Sequence, residues 1–132
     1  MASFVFPKYK EALLGGDRAW DTDDMRCILI DTGTDTPTTA DDYLDDIAAG
    51  AREATSSALQ NPSITDGVAD ADDITFSSVT GDTCEGVLIY YHTGTDSSSL
   101  LAVWSEFGSA VTPDGTDITV QWDSGANKIF AL

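Results

Sequence analysis

The chain has 132 residues, 42% of them hydrophobic, enough for one domain around a single core and too apolar for a disordered tail. Its 23 acidic residues against 6 basic ones give a net charge of −17 and a pI near 4.1. A surface of that sign repels phosphate backbones and anionic bilayers, which excludes nucleic acid and membrane as partners.

Residues 3–6 read as a short extended apolar segment that Pro7 ends. Pro7 suits the first turn of a helix over 8–14, and Gly15-Gly16 stops it. Residues 1–16 thus form an N-terminal strand and short helix. Phe4, Val5 and Phe6 either close a sheet edge of their own domain or act as a docking arm, because terminal residues stay ordered only when tied down. The opening MASFVFPKYKEALL carries no long apolar run followed by a cleavage site, so no secretory signal is expected. Residues 17–24 form an acidic loop around Trp20, and 25–31 (MRCILID) form an uninterrupted, central strand.

Residues 32–40 are a Thr-rich loop with no core-forming residue. Tyr43, Leu44 and Ile47 then mark one or two helical turns over 40–47, which Gly50 closes. Residues 52–59 read either as strand or as helix and are assigned as a strand. Residues 64–68 straddle Asp66-Gly67, a turn dipeptide, as two short strands or one bulged strand. Over 74–79, Ile74 and Phe76 alternate with polar residues, as in a half-buried strand. The centre of the chain is the stretch 85–107. There two runs, 87–91 and 100–104, flank a Thr-Gly-Thr-Asp-Ser cluster, and Gly94 supplies a positive φ. Both faces of each run are apolar, so this hairpin is expected to be buried on both sides. A Pro-Asp-Gly turn at 113–115 leads to a last long strand carrying Ile118, Val120 and Trp122. A turn at 124–127 then precedes a short apolar strand over 128–132. The predicted fold is one mainly β domain over 1–132, an antiparallel sandwich or a partly closed barrel, in which about five consecutive strands form a meander.

No catalytic constellation stands out. The single histidine, His92, lies at the mouth of the hairpin, no Gly-x-Ser-x-Gly elbow is present, and the acidic pairs are too numerous to single out one. The chain therefore reads as a non-enzyme without a cofactor. Cys27 and Cys84 sit in apolar runs as free thiols, or as a bridge between adjacent strands. One weak calcium candidate exists: Asp66, Asp70, Asp72 and Asp73 cluster near a glycine but lack the EF-hand order. Trp20, Trp104 and Trp122 could form a sugar platform, although two of them fall in strand patterns that suit the core or an interface. The few bases cluster early, at Lys8, Lys10, Arg18 and Arg26, so one pole is less negative if the termini meet.

Several stretches spread over nearly the whole chain carry a resemblance: FPKYKEALLGGD, MRCILIDTG, ITDGVADADDITFSSVTGD, EGVLIYYHTGTD and VTPDGTDITVQWDSGANKIFAL. In these the chain resembles a family of small virion structural proteins of tailed bacteriophages. The resemblance implies a capsid cement or decoration protein at the virion surface, assembled in the bacterial cytoplasm. Its implied partners are the major capsid protein and further copies of itself, as a homotrimer. Such a protein works by surface complementarity. On that reading Phe4, Val5, Phe6, Lys8, Lys10 and Arg18 form or border the contact. A neck, tail or fibre-associated virion module, and a calcium- or glycan-binding β module, are the alternatives.

Overall fold

A computed structural model describes residues 3–126 and 128–132. The fold is mainly β. In chain order its elements are β1 (Phe4–Val5), α1 (Pro7–Leu14), β2 (Met25–Ile30), β3 (Arg52–Thr55), β4 (Ser63–Thr65) and β5 (Val68–Asp70). They continue with β6 (Ile74–Phe76), β7 (Cys84–Tyr91), β8 (Leu101–Val111), β9 (Ile118–Val120) and β10 (Phe130–Ala131). The strands form a five-stranded antiparallel sheet in the order β1-β8-β7-β2-β3, a three-stranded sheet β10-β5-β4, and the pair β6-β9. Of the two architectures expected, the sandwich-like one holds. Among the described residues no sheet closes into a barrel. No helix among them is long and apolar enough to cross a membrane.

The doubly apolar hairpin sits where its composition requires. β7 is the middle strand of the large sheet, and Val87, Leu88, Ile89 and Tyr90 are all buried, so residues pointing to both faces leave water. β2 pairs with it from Met25↔Tyr91 to Ile30↔Gly86 and is buried at five of its six positions. On β8, Leu101 to Trp104 are buried, after which the strand runs out into solvent. Each fully buried large aliphatic side chain here contributes roughly 1.5–3 kcal/mol. The turn between β7 and β8 uses Gly94 at φ +90, as its sequence suggested. Asp66 and Gly67, at φ +52 and +79, make the two-residue turn that joins β4 to β5 as separate strands.

Several expectations are corrected. The second half is not a simple meander. β6 pairs with β9 across the whole hairpin, and β10 returns to β5. Ser78 (φ +50) and Gly81 (φ +121) turn the chain after β6, so β6 does not run on beside β7. The long strand expected around Trp122 stops at Val120, because the Trp122 amide donates to Asp73 Oδ1 at 3.0 Å and its indole to the Asp72 carbonyl at 3.0 Å.

The helix expected over 40–47 is only a 3-10 turn, Leu44–Asp46. Its aspartates capture local amides: Asp41 accepts from Thr38 N, and Asp46 accepts from Asp42 N and Tyr43 N. Such side-chain bonds offer the backbone an alternative to a longer helix. Leu44 and Ile47 are buried as the stripe implied, whereas Gly50 lies inside a second 3-10 turn, Ala49–Ala51. The 32–40 loop does lend one residue to the interior, Pro37. The strand expected over 52–59 ends at Thr55, after which Ser56 Oγ accepts from Cys27 N and donates to the Ser57 carbonyl. Of the turn expected at 124–127, Asn127 lies outside the described residues.

Candidate partner-binding surface

The N-terminal segment is built into the domain. β1 pairs with β8 through Phe4↔Trp104 and Val5↔Val103, and the Phe6 amide donates to the Ala102 carbonyl at 2.9 Å. Phe6 is fully buried and its ring meets Phe4 edge-on at 4.9 Å. The Phe6 carbonyl accepts from Tyr9 N and Lys10 N, so α1 starts directly on that anchor with Pro7 in its first turn. Tyr9, also fully buried, locks the helix inward against Phe130, whose ring is edge-on to Trp20 at 5.2 Å.

Of the residues expected to dock, Phe6 therefore belongs to the core, while Phe4 and Val5 are half-buried in their own sheet. Phe4 and Val5 line a shallow groove of about 220 Å³ together with Ile129, Phe130 and Ala131. Residues 3–5 and 129–131 therefore lie side by side.

What the N-terminal region turns outward is the far side of α1. Pro7, Lys10, Glu11 and Leu14 are exposed at helical spacing, and Leu14, at 83%, is the most exposed large apolar residue described. Beside it Lys8, Ala12 and Arg18 form one wall of a groove of about 440 Å³, with Tyr43, Tyr91 and Leu100 opposite. Arg18 lies flat over the Tyr91 ring, 4.0 Å from its centroid, and faces Asp23 at 3.7 Å. The groove's far wall exists because Tyr43 leaves the expected helix to bridge Leu100. No sequence motif announced that wall; the only hint was an aromatic residue in an otherwise acidic segment.

Charge is distributed to match. The three arginines are each held by the protein's own acids: Arg18 by Asp23, Arg26 by both oxygens of Asp24 at 3.0 Å, and Arg52 by Asp96 at 2.7 Å. Arg52 also donates to the Leu44 and Ile47 carbonyls. Lys128 reaches the Ser124 carbonyl at 3.4 Å. Among the described residues, Lys8 and Lys10 alone of the cations have no such partner.

Among the described residues no hydrogen bond joins the remaining candidates into a catalytic set. The His92 amide donates to the Asp24 carbonyl, and its Nδ1 lies 3.2 Å from the Tyr90 hydroxyl; among the described residues no serine hydroxyl bonds to it. Cys27 and Cys84 are free and buried rather than bridged. Burial pushes both thiols up to about 12, and for Cys84 the nearby Glu53 and Glu85 carboxylates add to it. The buried Tyr9 hydroxyl finds no hydrogen-bond partner among the described residues, and desolvation, followed by Asp23, raises its pKa well above the usual range.

Of the four calcium candidates, Asp70, Asp72 and Asp73 line one hollow and Asp66 lies outside it. Asp72 accepts from Asn61, Asp73 from the Trp122 amide, and Asp66 serves the tight turn. The carboxylates that do come within 4.8 Å of one another are Asp31, Glu53 and Asp82, where β2 and β3 meet the approach to β7. Trp20 and Trp104 are core residues, so the three tryptophans share no platform. Trp122 stays half-exposed in a separate hollow of about 340 Å³, with Asp70, Asp72, Asp73, Asp123 and Lys128. No model of a known protein family matches the chain, and no curated protein matches it.

Proposed function

We propose that this chain is a structural component of a bacteriophage virion, a cement protein that seats on the major capsid protein shell and acts by binding, not by turnover. One observation carries the proposal most directly. Lys8 and Lys10, the lysines with no hydrogen-bond or ion-pair partner among the described residues, lie on one short helix that Phe6 and Tyr9 fasten to the core, and Lys10 shares its outer face with Leu14, the most exposed large apolar residue described. A rigid helix face that joins charge to an apolar knob, on an otherwise acidic and soluble body, suits a docking element that needs no ordering on contact. The resemblance noted in the sequence supplies the setting.

The test is quantitative mass spectrometry on purified virions, separated into heads and tails. The proposal expects the chain on heads in copy number comparable to the major capsid protein. Absence from particles overturns it, and confinement to tails replaces the cement role with a tail role. Surface variants such as Lys10→Glu are the right probes of docking. Deleting residues 1–10 removes Phe6 and Tyr9 with the surface, and so confounds docking with folding.

A further inference from the structure

We propose that Asp66-Gly67, the turn between β4 and β5, is a site of spontaneous covalent modification, where aspartate converts to isoaspartate in the folded protein. The chain's other Asp-Gly pair, Asp114-Gly115, is protected from the same reaction by its fold. The inference concerns the chain's own chemistry and goes beyond the binding role just given.

The reaction needs no second reactant but water. The Gly67 backbone nitrogen attacks Asp66 Cγ, so that a C–N bond forms and a five-membered imide closes. The carboxyl group loses its hydroxyl, which leaves as water with the proton of the nitrogen. Water then opens the ring at either carbonyl. Opening at Cγ restores aspartate, and opening at the main-chain carbonyl leaves isoaspartate, with the chain running through Cβ and Cγ. One water is lost and one regained, and nothing is oxidised or reduced. Glycine favours the attack because no side chain shields its nitrogen and its backbone turns freely.

Both pairs lie exposed in turns, so the dipeptide alone does not separate them. Their partners do. Among the described residues neither the Asp66 carboxylate nor the Gly67 N–H has a hydrogen-bond partner. Lys128 lines the hollow beside Asp66 but donates to the Ser124 carbonyl. β4 is an edge strand exposed at all three of its positions, so the local opening that lets the nitrogen reach Cγ costs little.

At the other pair, Asp114 Oδ1 accepts from the Thr116 amide at 3.1 Å and from the Thr116 hydroxyl, and the Gly115 N–H donates to the Val79 carbonyl at 2.8 Å. Attack there must first free the nitrogen and turn the carboxyl away from Thr116. The Thr116 bonds also lower the Asp114 pKa, which leaves less of the protonated acid that can lose water. Modification at Asp66 has a structural consequence. It adds one atom to the main chain of a turn whose length fixes the Thr65↔Val68 register, beside the Gly67 carbonyl that accepts from Leu132 N at 3.0 Å.

The experiment holds the full native chain in mildly acidic buffer at body temperature for weeks, then digests it and resolves isoaspartyl peptides by mass spectrometry with electron-transfer fragmentation. Isoaspartate is expected at Asp66 about tenfold or more faster than at Asp114, because three hydrogen bonds hold the reacting groups at Asp114 and none holds them at Asp66. In urea the two sites are expected to convert at similar rates. Thr116→Val, which removes the hydroxyl bond, is expected to raise conversion at Asp114 and leave Asp66 unchanged. Asp66→Asn keeps a residue suited to the turn and is expected to convert faster, with ammonia as the leaving group. Native conversion at Asp114 as fast as at Asp66, or a native chain unmodified at Asp66, overturns the inference. So does the same preference persisting in urea, which would assign it to flanking sequence rather than to the fold.

Discussion

Gly86 lies at the most crowded point of the large sheet, and replacing it with alanine is expected to destabilise the protein. In β7, a Cβ on Gly86 would come 2.6 Å from the Ser105 carbonyl oxygen and 2.7 Å from Trp104 Cζ2. Neither neighbour yields easily. The carbonyl belongs to the paired strand β8, and the Trp104 indole is 1% exposed. In an unobstructed strand, glycine to alanine would gain roughly 0.5–1 kcal/mol from backbone entropy alone. Against that, forcing a methyl group into a filled core costs about 1–3 kcal/mol, and two fixed neighbours put Gly86→Ala at the upper end. The net loss is then about 2 kcal/mol, or a fall in Tm of roughly 6–10 °C for a chain of this size. Urea titration followed by tryptophan fluorescence measures it, with Trp104→Leu as the companion variant. The two changes are expected to be less than additive, because removing the indole frees part of the space. Gly86→Ala as stable as wild type, or more so, would refute the reasoning, since the two contributions have opposite signs.

Removing the Phe6 ring with Phe6→Ala is expected to cost about 3–5 kcal/mol, whereas Leu14→Ala on the outer side of α1 should change stability by less than about 0.5 kcal/mol; equal losses in chemical denaturation would contradict the inward and outward assignment. Cys27 and Cys84 are expected to resist a thiol reagent near pH 8 in the native protein and to react together once it unfolds, because both are buried and their thiolates are disfavoured; rapid modification of either in the folded state would place it at the surface. Asp46→Ala is expected to cost about 0.5–1 kcal/mol at neutral pH through loss of the Asp42 and Tyr43 amide bonds. Those amides lower the Asp46 pKa, so the contribution is present above its unfolded value and is lost as pH falls through the folded one. The stability gap between wild type and variant should therefore shrink with acidification below about pH 4, and a gap that widens would show the sign to be wrong.

The features legible in the sequence are those fixed by local chemistry. Alternation failing on both faces of 87–91 places β7 at the sheet centre, and Asp66-Gly67 makes its turn because both residues adopt positive φ. Pro7 and Gly15-Gly16 bracket α1 for equally local reasons. Long-range pairing is different. Nothing within 118–120 specifies β6 as its partner across the hairpin, and three-residue strands carry too little pattern to choose among edges. Residues 40–47 misled because hydrophobic spacing alone cannot register the aspartates that capture Thr38, Asp42 and Tyr43 amides.

The docking surface was half legible for a related reason. Apolar residues near a terminus suggested an arm, and Phe4 to Phe6 indeed mark where the chain is tied down, but apolar character does not say which side of the contact is the protein's own. Burial decides it: Phe6 goes inward, and the polar residues of the same segment are left facing out. Pairing then divides the cations further. Arginine, with its planar fork, is taken up by internal acids and carbonyls, as at Arg26 and Arg52, while the lysines of α1 keep their charge unanswered. Among the described residues none of the three lysines pairs with an acid, although the chain has 23 acids and 6 bases. The two on α1 lie within one turn of an anchored helix but on different sides of it, Lys8 half-buried at the Arg18 groove and Lys10 exposed on the outer side with Leu14.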